Sequence, residues 1–301
     1  MGQEPRKRAV LIAGPTASGK SVLALEKARA LGGVVVNADA MQVYDVLQVL
    51  TARPSASEME GVPHFLYGTV PPSERFSTGD WLRAVQSLLE QPEIADRPLI
   101  FVGGTGLYFD TLTSGFAEVP VVPAEVTRAA EAEIRGLDRV ARERLLAARD
   151  PEMATRLQAH DPQRVVRALA VLKATGRSLA HYQAMSQPGP LEGAELERLV
   201  LNPDRDVLRE RIARRFAAML DAGAVEEVKA LRALDLDPSL PVLKAIGVRE
   251  IIDWLEGGIS REQAIELAVT ATRQYAKRQR TWFRNRMSDW TWIDLEAGLD
   301  W

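Results

Sequence analysis

The chain has 301 residues, with 38 Lys+Arg against 41 Asp+Glu, a formal net charge of −3 and 46% hydrophobic residues, the composition of an ordinary globular protein of one large domain or two. It holds no cysteine, which excludes structural disulfides, thiolate-bound zinc and iron–sulfur clusters. Its three histidines, His64, His160 and His181, lack metal-ligand spacing and any evident catalytic partner, so they read as structural or surface residues.

The first residues, from Met1 to Arg8, carry charge without an apolar stretch, unlike a secretory signal. Arg6 stands where a myristoylation motif after Gly2 has Ser or Thr. No apolar run approaches the roughly 20 residues needed to span a bilayer, so a soluble cytoplasmic protein with no membrane partner is expected. Residues 9–13 (AVLIA) read as a buried strand running into a glycine loop. Residues 21–31 have helical periodicity and stop at Gly32-Gly33. Residues 34–36, 98–102, 198–202 and 290–293 read as further strands. Short apolar strands alternating with helices predict an α/β fold with a parallel sheet covered on both faces.

Residues 119–190 differ: they are charged, alanine-rich and without a strand-like run, with Pro120, Pro123, Pro188 and Pro190 at the ends. Asp150-Pro151 and Asp161-Pro162 each read as an N-cap followed by the first helical residue, and Gly176 as a helix stop. The expectation is an all-helical domain inserted into a core made of residues 1–118 and 191–301.

The sharpest motif is Gly14-Pro15-Thr16-Ala17-Ser18-Gly19-Lys20-Ser21. It matches G-x-x-x-x-G-K-[ST] between an expected strand and an expected helix, the setting in which backbone N–H groups cradle phosphate oxygens. Lys20 adds a point charge and Ser21 a hydroxyl able to ligate Mg²⁺. The alternative, an ordinary strand-to-helix turn, leaves Lys20 unexplained. No Asn-Lys-x-Asp guanine-reading motif is present, and the strand ending at Val102 leads into Gly103-Gly104-Thr105, with no carboxylate before Asp110. The hydrolytic apparatus of an ATPase is therefore missing. Asn37-Ala38-Asp39-Ala40-Met41-Gln42 follows the second strand, so Asp39, Thr105 and the phosphate loop converge beyond the strand ends. A helix N-cap is the alternative for Asp39.

The segments GPTASGKS, NADAMQVY, TARP at 51–54, GGTGLYF at 103–109, DPQRVVRAL at 161–169 and ATRQYAKRQRTWFRN at 271–285 run in order along nearly the whole chain. Together they resemble bacterial tRNA dimethylallyltransferases, the tRNA isopentenyltransferase (IPP transferase) family. The resemblance implies a P-loop NTPase-like core and transfer of the dimethylallyl group of dimethylallyl diphosphate to N6 of the adenine immediately 3′ of the anticodon. It implies that Gly14, Thr16, Ala17, Ser18, Gly19, Lys20 and Ser21 hold the diphosphate with Mg²⁺, and that Arg215 helps bind it. Asp39 would be the general base, Lys20 would stabilise departing charge, and Thr105 would contact the adenine. Ala40, Met41 and Gln42 would contact tRNA, as would Gln163, Arg164, Val165, Val166 and Arg167. The sequence departs from the family pattern at Ala40, Asp45, Leu50 and Val248, while Lys20, Asp39 and Thr105 are intact.

The chemistry of the residues agrees with that reading. An adenine amino group is a poor nucleophile, and a carboxylate on N6–H restores its electron density. Departing diphosphate needs cations. Two arginines, Arg164 and Arg167, sit near a helix N-terminus, where the macrodipole disfavours them unless an external anion or a neighbouring acid answers them. Arg215 lies i,i+4 from Arg211 beside the apolar stripe Leu208, Ile212, Phe216 and Met219; pairing with Glu210 or Asp206 is the bland alternative. From Leu267 to Ser288 there is no acid, and Arg278 sits among five other basic residues with Trp282 and Phe283, a pattern suited to phosphate contacts and base stacking or to a solvated basic helix. The reading is a monomeric tRNA dimethylallyltransferase. Its rivals are a P-loop small-molecule kinase and a non-catalytic RNA-binding protein.

Overall fold

A computed structural model of the chain describes residues 8–157 and 161–295; His160 and the Met1–Lys7 segment with Gly2 and Arg6 lie outside them. Six strands form one sheet: β1 (Arg8–Ala13), β2 (Val34–Asn37), β3 (His64–Phe65), β4 (Leu99–Gly103), β5 (Glu195–Pro203) and β6 (Thr291–Leu295). Their order is β3-β2-β4-β1-β5-β6 and every pairing is parallel. In β1 the residues Ala9 to Ala13 are all 0% exposed. That burial explains a continuous apolar run rather than an alternating one, because helices cover both faces of a parallel sheet. The two-residue β3 has no apolar run of its own and was not expected. Its His64 is half-buried and bonds through Nδ1 to the Val62 carbonyl, which agrees with a structural role.

Helix α1 (Lys20–Leu31) packs Ala24 and Ala28 onto Val10, Ile12, Val35 and Ile100 of the sheet. It ends at Gly32 in the left-handed region, with φ 64°, whose N–H caps Ala28 and Arg29. On the opposite face, α2 (Thr78–Leu89) brings Trp81 flat against Tyr108 of α3 (Gly106–Ser114), 4.2 Å between ring centroids, and edge-on to Phe101. The Trp81 indole N–H donates to the Asn37 carbonyl at 2.8 Å, where β2 ends.

Residues 1–112 and 191–301 make one compact unit and residues 113–190 a second. The second unit begins at Thr113, ahead of the expected residue 119, because Phe116 and Gln187 exchange backbone hydrogen bonds and draw the ends of the segment together. It holds α4 (Ala124–Ile134), α5 (Arg139–Arg149), α6 (Pro151–Arg156), α7 (Pro162–Thr175) and α8 (Leu179–Ala184). Asp150 and Asp161 are N-caps, accepting from Met153 N–H and Gln163 N–H, and Gly176 closes α7 with φ 70°. His181 on α8 meets Arg177 at 2.8 Å. The unit has its own core around Ala130, Leu146, Val165, Leu169 and Val171.

After β5 the chain is helical: α9 (Arg205–Met219), α10 (Val225–Ala233), α11 (Val248–Leu255) and the 26-residue α12 (Arg261–Arg286). Leu208, Ile212, Phe216 and Met219 of α9 and Ala268, Val269 and Ala276 of α12 share a core with Val43, Tyr44, Leu47 and Leu50 of the loop after β2. Among the described residues no helix is long and apolar enough to cross a membrane.

Replacing Trp81 with Phe keeps most of the ring packing but leaves the buried Asn37 carbonyl without its donor. The expected cost is about 1–3 kcal/mol of unfolding free energy, read from the midpoint of urea denaturation; an unchanged midpoint would show that the bond contributes nothing.

Candidate active site

Three loops leave the carboxyl ends of β1, β2 and β4, and the sheet order places those strands side by side. The first is the phosphate loop. Gly14 is tight against Ser18, whose Oγ lies 2.7 Å from where a Gly14 Cβ would stand. Ala17 and Gly19 both adopt positive φ, 64° and 86°. For alanine that is a strained conformation, of the kind found where a loop is shaped for a ligand. The Ser18 hydroxyl is wholly buried and has no hydrogen-bond partner among the described residues. Ser21 is exposed in the first turn of α1. Lys20 Nζ donates to the Pro15 carbonyl at 3.3 Å. Burial lowers the Lys20 pKa to about 8, with Asp39 pulling it up and Arg215 pushing it further down.

The second loop carries Asp39. Asn37, 0% exposed, aims it: its Oδ1 accepts from the Asp39 N–H at 2.8 Å and its Nδ2 donates to the Asp39 and Leu66 carbonyls. Asp39 Oδ1 accepts from the Met41 N–H at 3.0 Å. No helix starts there, so the N-cap alternative fails. The third loop is the glycine turn after β4. A Cβ at Gly103 would lie 2.0 Å from the Ala38 carbonyl oxygen, so only glycine fits. Thr105 N–H donates to that same carbonyl, and Thr105 Oγ1 accepts from the Ala40 N–H at 3.0 Å. The hydroxyl hydrogen of Thr105 is left to donate elsewhere.

Arg215 reaches in from α9 and its Nη2 bonds Thr16 Oγ1. Its guanidinium pKa is lowered by burial, with Asp39 opposing. Pairing with Glu210 or Asp206 is thus not its role. Thr16, Asp39 and Arg215 form the charged end of a cavity of about 310 Å³. Leu50, Ile212, Phe216, Met219, Ala245 and Ile246 supply its apolar wall, and Thr51, Thr272 and Lys244 line it as well. Ala40, Met41 and Tyr275 are also in the wall, and Arg278 stands at it with its guanidinium 5.7 Å from the Tyr275 ring centre. Burial, followed by the charge of Asp39, raises the Tyr275 pKa and keeps the phenol neutral. The cavity suits a ligand with an anionic head and a short apolar tail.

Other expected residues are placed differently. Gln42 spends its amide on the protein, Nε2 donating to the Thr51 and Ala52 carbonyls at 2.9 and 2.8 Å. Gln163, Arg164 and Arg167 are exposed on the first turns of α7 and Val166 is partly so, but Val165 is 0% exposed. The Val165 side chain therefore belongs to the core of its unit, a correction to its reading as an RNA contact. Arg164 has Asp161 at 3.7 Å, the neighbouring acid that its position asked for. Of the departures from the family pattern, Ala40 lines the cavity, Asp45 is exposed, Val248 is core, and Leu50 fills the space against Gly247.

Three residues escaped the sequence reading. Asn37 stood inside a quoted motif, and its polarity at the end of a buried strand was the available signal. Glu227 of α10 accepts three successive backbone N–H groups, from Gln48, Val49 and Leu50 at 2.9, 2.7 and 3.0 Å. Gln279 of α12 is 5% exposed and bonds two of the three loops. Gln279 also stood inside a quoted segment, at 271–285, but amid basic residues that gave no sign of its burial; Glu227 has no local signature.

A family model described as IPP transferase matches residues 42–286, and one described as isopentenyl transferase matches residues 7–67. A tRNA dimethylallyltransferase of Agrobacterium fabrum is 52% identical over 288 residues, spanning 95% of this chain and 96% of its own. One from a Methylobacterium species is 52% identical over 293 residues, spanning 97% and 96%. Among solved structures, the tRNA isopentenylpyrophosphate transferase of Bacillus halodurans is similar with TM-score 0.69 and 33% identity over 98% of this chain and 92% of that one. A eukaryotic dimethylallyltransferase solved acting on tRNA is similar with TM-score 0.79 and 29% identity over 96% and 74%. On the strength of these matches and of three loops built for an anionic ligand, the chain belongs to the IPP transferase family, whose curated relatives here are tRNA dimethylallyltransferases.

Proposed function

We propose that the protein is a tRNA dimethylallyltransferase that transfers the dimethylallyl group from dimethylallyl diphosphate to N6 of the adenosine immediately 3′ of the anticodon, releasing diphosphate. The observation that carries this reading is the cavity: Thr16 of the phosphate loop, Arg215 and Asp39 line it together with the apolar Leu50, Ile212, Phe216 and Met219, and Thr105 bonds the backbone of Ala40 in its wall. N6 attacks the allylic carbon, a C–N bond forms, and the C–O bond breaks with its electron pair leaving on the diphosphate. Asp39 takes the proton from N6. The Met41 N–H on Oδ1 fixes the carboxylate, leaving Oδ2, beside Gly104, for the amino group. Thr105 donates its hydroxyl hydrogen to the adenine. Lys20, Arg215 and the loop N–H groups bind the diphosphate and answer its growing charge.

Among the described residues no cluster of three or more acids or histidines could hold a metal. The exposed Ser21 hydroxyl, as a single protein donor, fits a Mg²⁺ that would arrive with the diphosphate and retain its waters. Ser21 would hold it, and the ion would neutralise the leaving diphosphate. Exposed Gln163, Arg164, Arg167 and Arg278 are offered as RNA contacts. A tRNA substrate supports a place in the cytoplasm. A small-molecule kinase is disfavoured by β4, which ends in Gly103-Gly104-Thr105 without a metal-binding carboxylate.

Incubation with Mg²⁺, dimethylallyl diphosphate and an unmodified anticodon stem-loop is expected to add one dimethylallyl unit to the RNA by mass. Asp39→Ala should lower kcat about 10²–10⁴-fold, the range of a lost general base. ATP hydrolysis without a mass gain would return the protein to the kinases.

The Lys20 shift sets a pH dependence. Below about 8 the ammonium is charged and binds diphosphate; as pH rises through that value the charge is lost. Affinity for inorganic pyrophosphate should fall across this window in the wild type and stay level in Lys20→Arg, measured by calorimetry. The ligand-free protein behaves oppositely. Its folded-state pKa lies below the unfolded value of 10.5, so the unfolded chain holds the proton more tightly and this group's contribution to stability rises between about 8 and 10.5.

A further inference from the structure

Gln279 lies on α12, far along the chain from the loops it touches, and is 5% exposed. Its Oε1 accepts from the Thr16 N–H at 3.0 Å and its Nε2 donates to the Gly104 carbonyl at 2.9 Å. The amide can sit only one way round, because reversing it would face N–H against N–H and oxygen against oxygen. The fit is close. A Cβ at Gly104 would lie 2.1 Å from Gln279 Nε2, and one at Gly106 would lie 2.2 Å from the Trp282 ring. The helix therefore lies directly on the glycine turn. From Gly104 the connection continues through Thr105 Oγ1 to the Ala40 N–H, next to Asp39. From Thr16 it continues through Oγ1 to Arg215. One side chain thus joins the loop that holds the donor diphosphate to the turn that anchors the Asp39 loop.

We propose that Gln279 is a positioning residue for the transfer: its amide fixes the separation of the phosphate loop and the Gly104-Thr105 turn, and so the alignment of the allylic carbon with the attacking N6. This inference rests on the transferase reading. Each loop keeps its other contacts when the amide is lost, so each substrate still binds; what suffers is their mutual placement, to which bond formation is far more sensitive than binding is.

Gln279→Met fills the same space without either bond. In the folded variant kcat is expected to fall about tenfold or more, while KM for the stem-loop and Kd for inorganic pyrophosphate shift less than about threefold. Gln279→Glu supplies a pH signature. Its protonated carboxyl can accept from Thr16 N–H and donate to the Gly104 carbonyl; once ionised it cannot donate. The ratio of its kcat to that of the wild type should approach one in mildly acidic buffer and decline toward alkaline pH. A purely structural glutamine would lower Tm without the kcat–KM split or the pH-dependent ratio. Wild-type kcat in folded Gln279→Met, or a pH-independent ratio near one in Gln279→Glu, overturns the proposal. Amide hydrogen exchange needs no turnover. In Gln279→Met at any pH, and in Gln279→Glu at alkaline pH, faster exchange in both residues 14–20 and residues 38–42 supports the tie, and unchanged exchange there overturns it. A wild type that makes no alkylated RNA would sink the transferase reading, and exchange would still decide the role of Gln279.

Discussion

The rest of the site depends on the approach of the glycine turn after β4 to the loop after β2. Gly103 sits so close to the Ala38 carbonyl that any side chain would collide with it. Thr105 closes the gap from both sides, its N–H on Ala38 and its Oγ1 on the Ala40 N–H. Two loops that would each be free at the edge of a parallel sheet become one body. Asn37 fixes that body to the sheet: its side chain is spent on the Asp39 and Leu66 backbone, and its own carbonyl is held by Trp81. The carboxylate is thereby placed before any substrate arrives, the preorganisation that electrostatic catalysis requires.

Charge and apolar surface are segregated around it. Lys20, Asp39 and Arg215 share a partly buried space, and burial acts against the charged form of both cations while Asp39 favours it. With Lys244 and Arg278 in the cavity wall as well, four cations face the one carboxylate of Asp39, a deficit of negative charge that a diphosphate would fill. The strained Ala17 and the unpartnered Ser18 hydroxyl stand in the same loop. Leu50, Phe216 and Met219 supply apolar wall to the cavity, and Glu227 holds the Leu50 segment by capturing three consecutive N–H groups.

What could be read from sequence followed the range of the interactions. The phosphate loop, the helix it starts and the Asp-Pro caps are local, so residues a few positions apart announced them. Four of the six strands were legible as apolar runs and β6 as a short stretch around Trp292 and Ile293 that is only partly buried, whereas β3 is two residues long and gains its place by pairing with β2. Asp39 and Thr105 could be placed together because parallel strands end at one edge. Gln279 and Glu227 could not: their partners lie 263 and 179 residues away at the farthest, and a buried amide or acid has no periodicity. Val165 shows the converse error, since a motif-wide reading took in a fully buried residue of its run, with Val166 packed against the same core.

The most direct test of the account is a crystal structure of the wild-type protein with a non-reactive thiolodiphosphate analogue of the donor and an anticodon stem-loop. The account predicts the target adenine in the cavity, its N6 within about 3.2 Å of Asp39 and the diphosphate on Lys20 and Arg215. An adenine whose N6 contacts only solvent, or a diphosphate bound away from the phosphate loop, would contradict it.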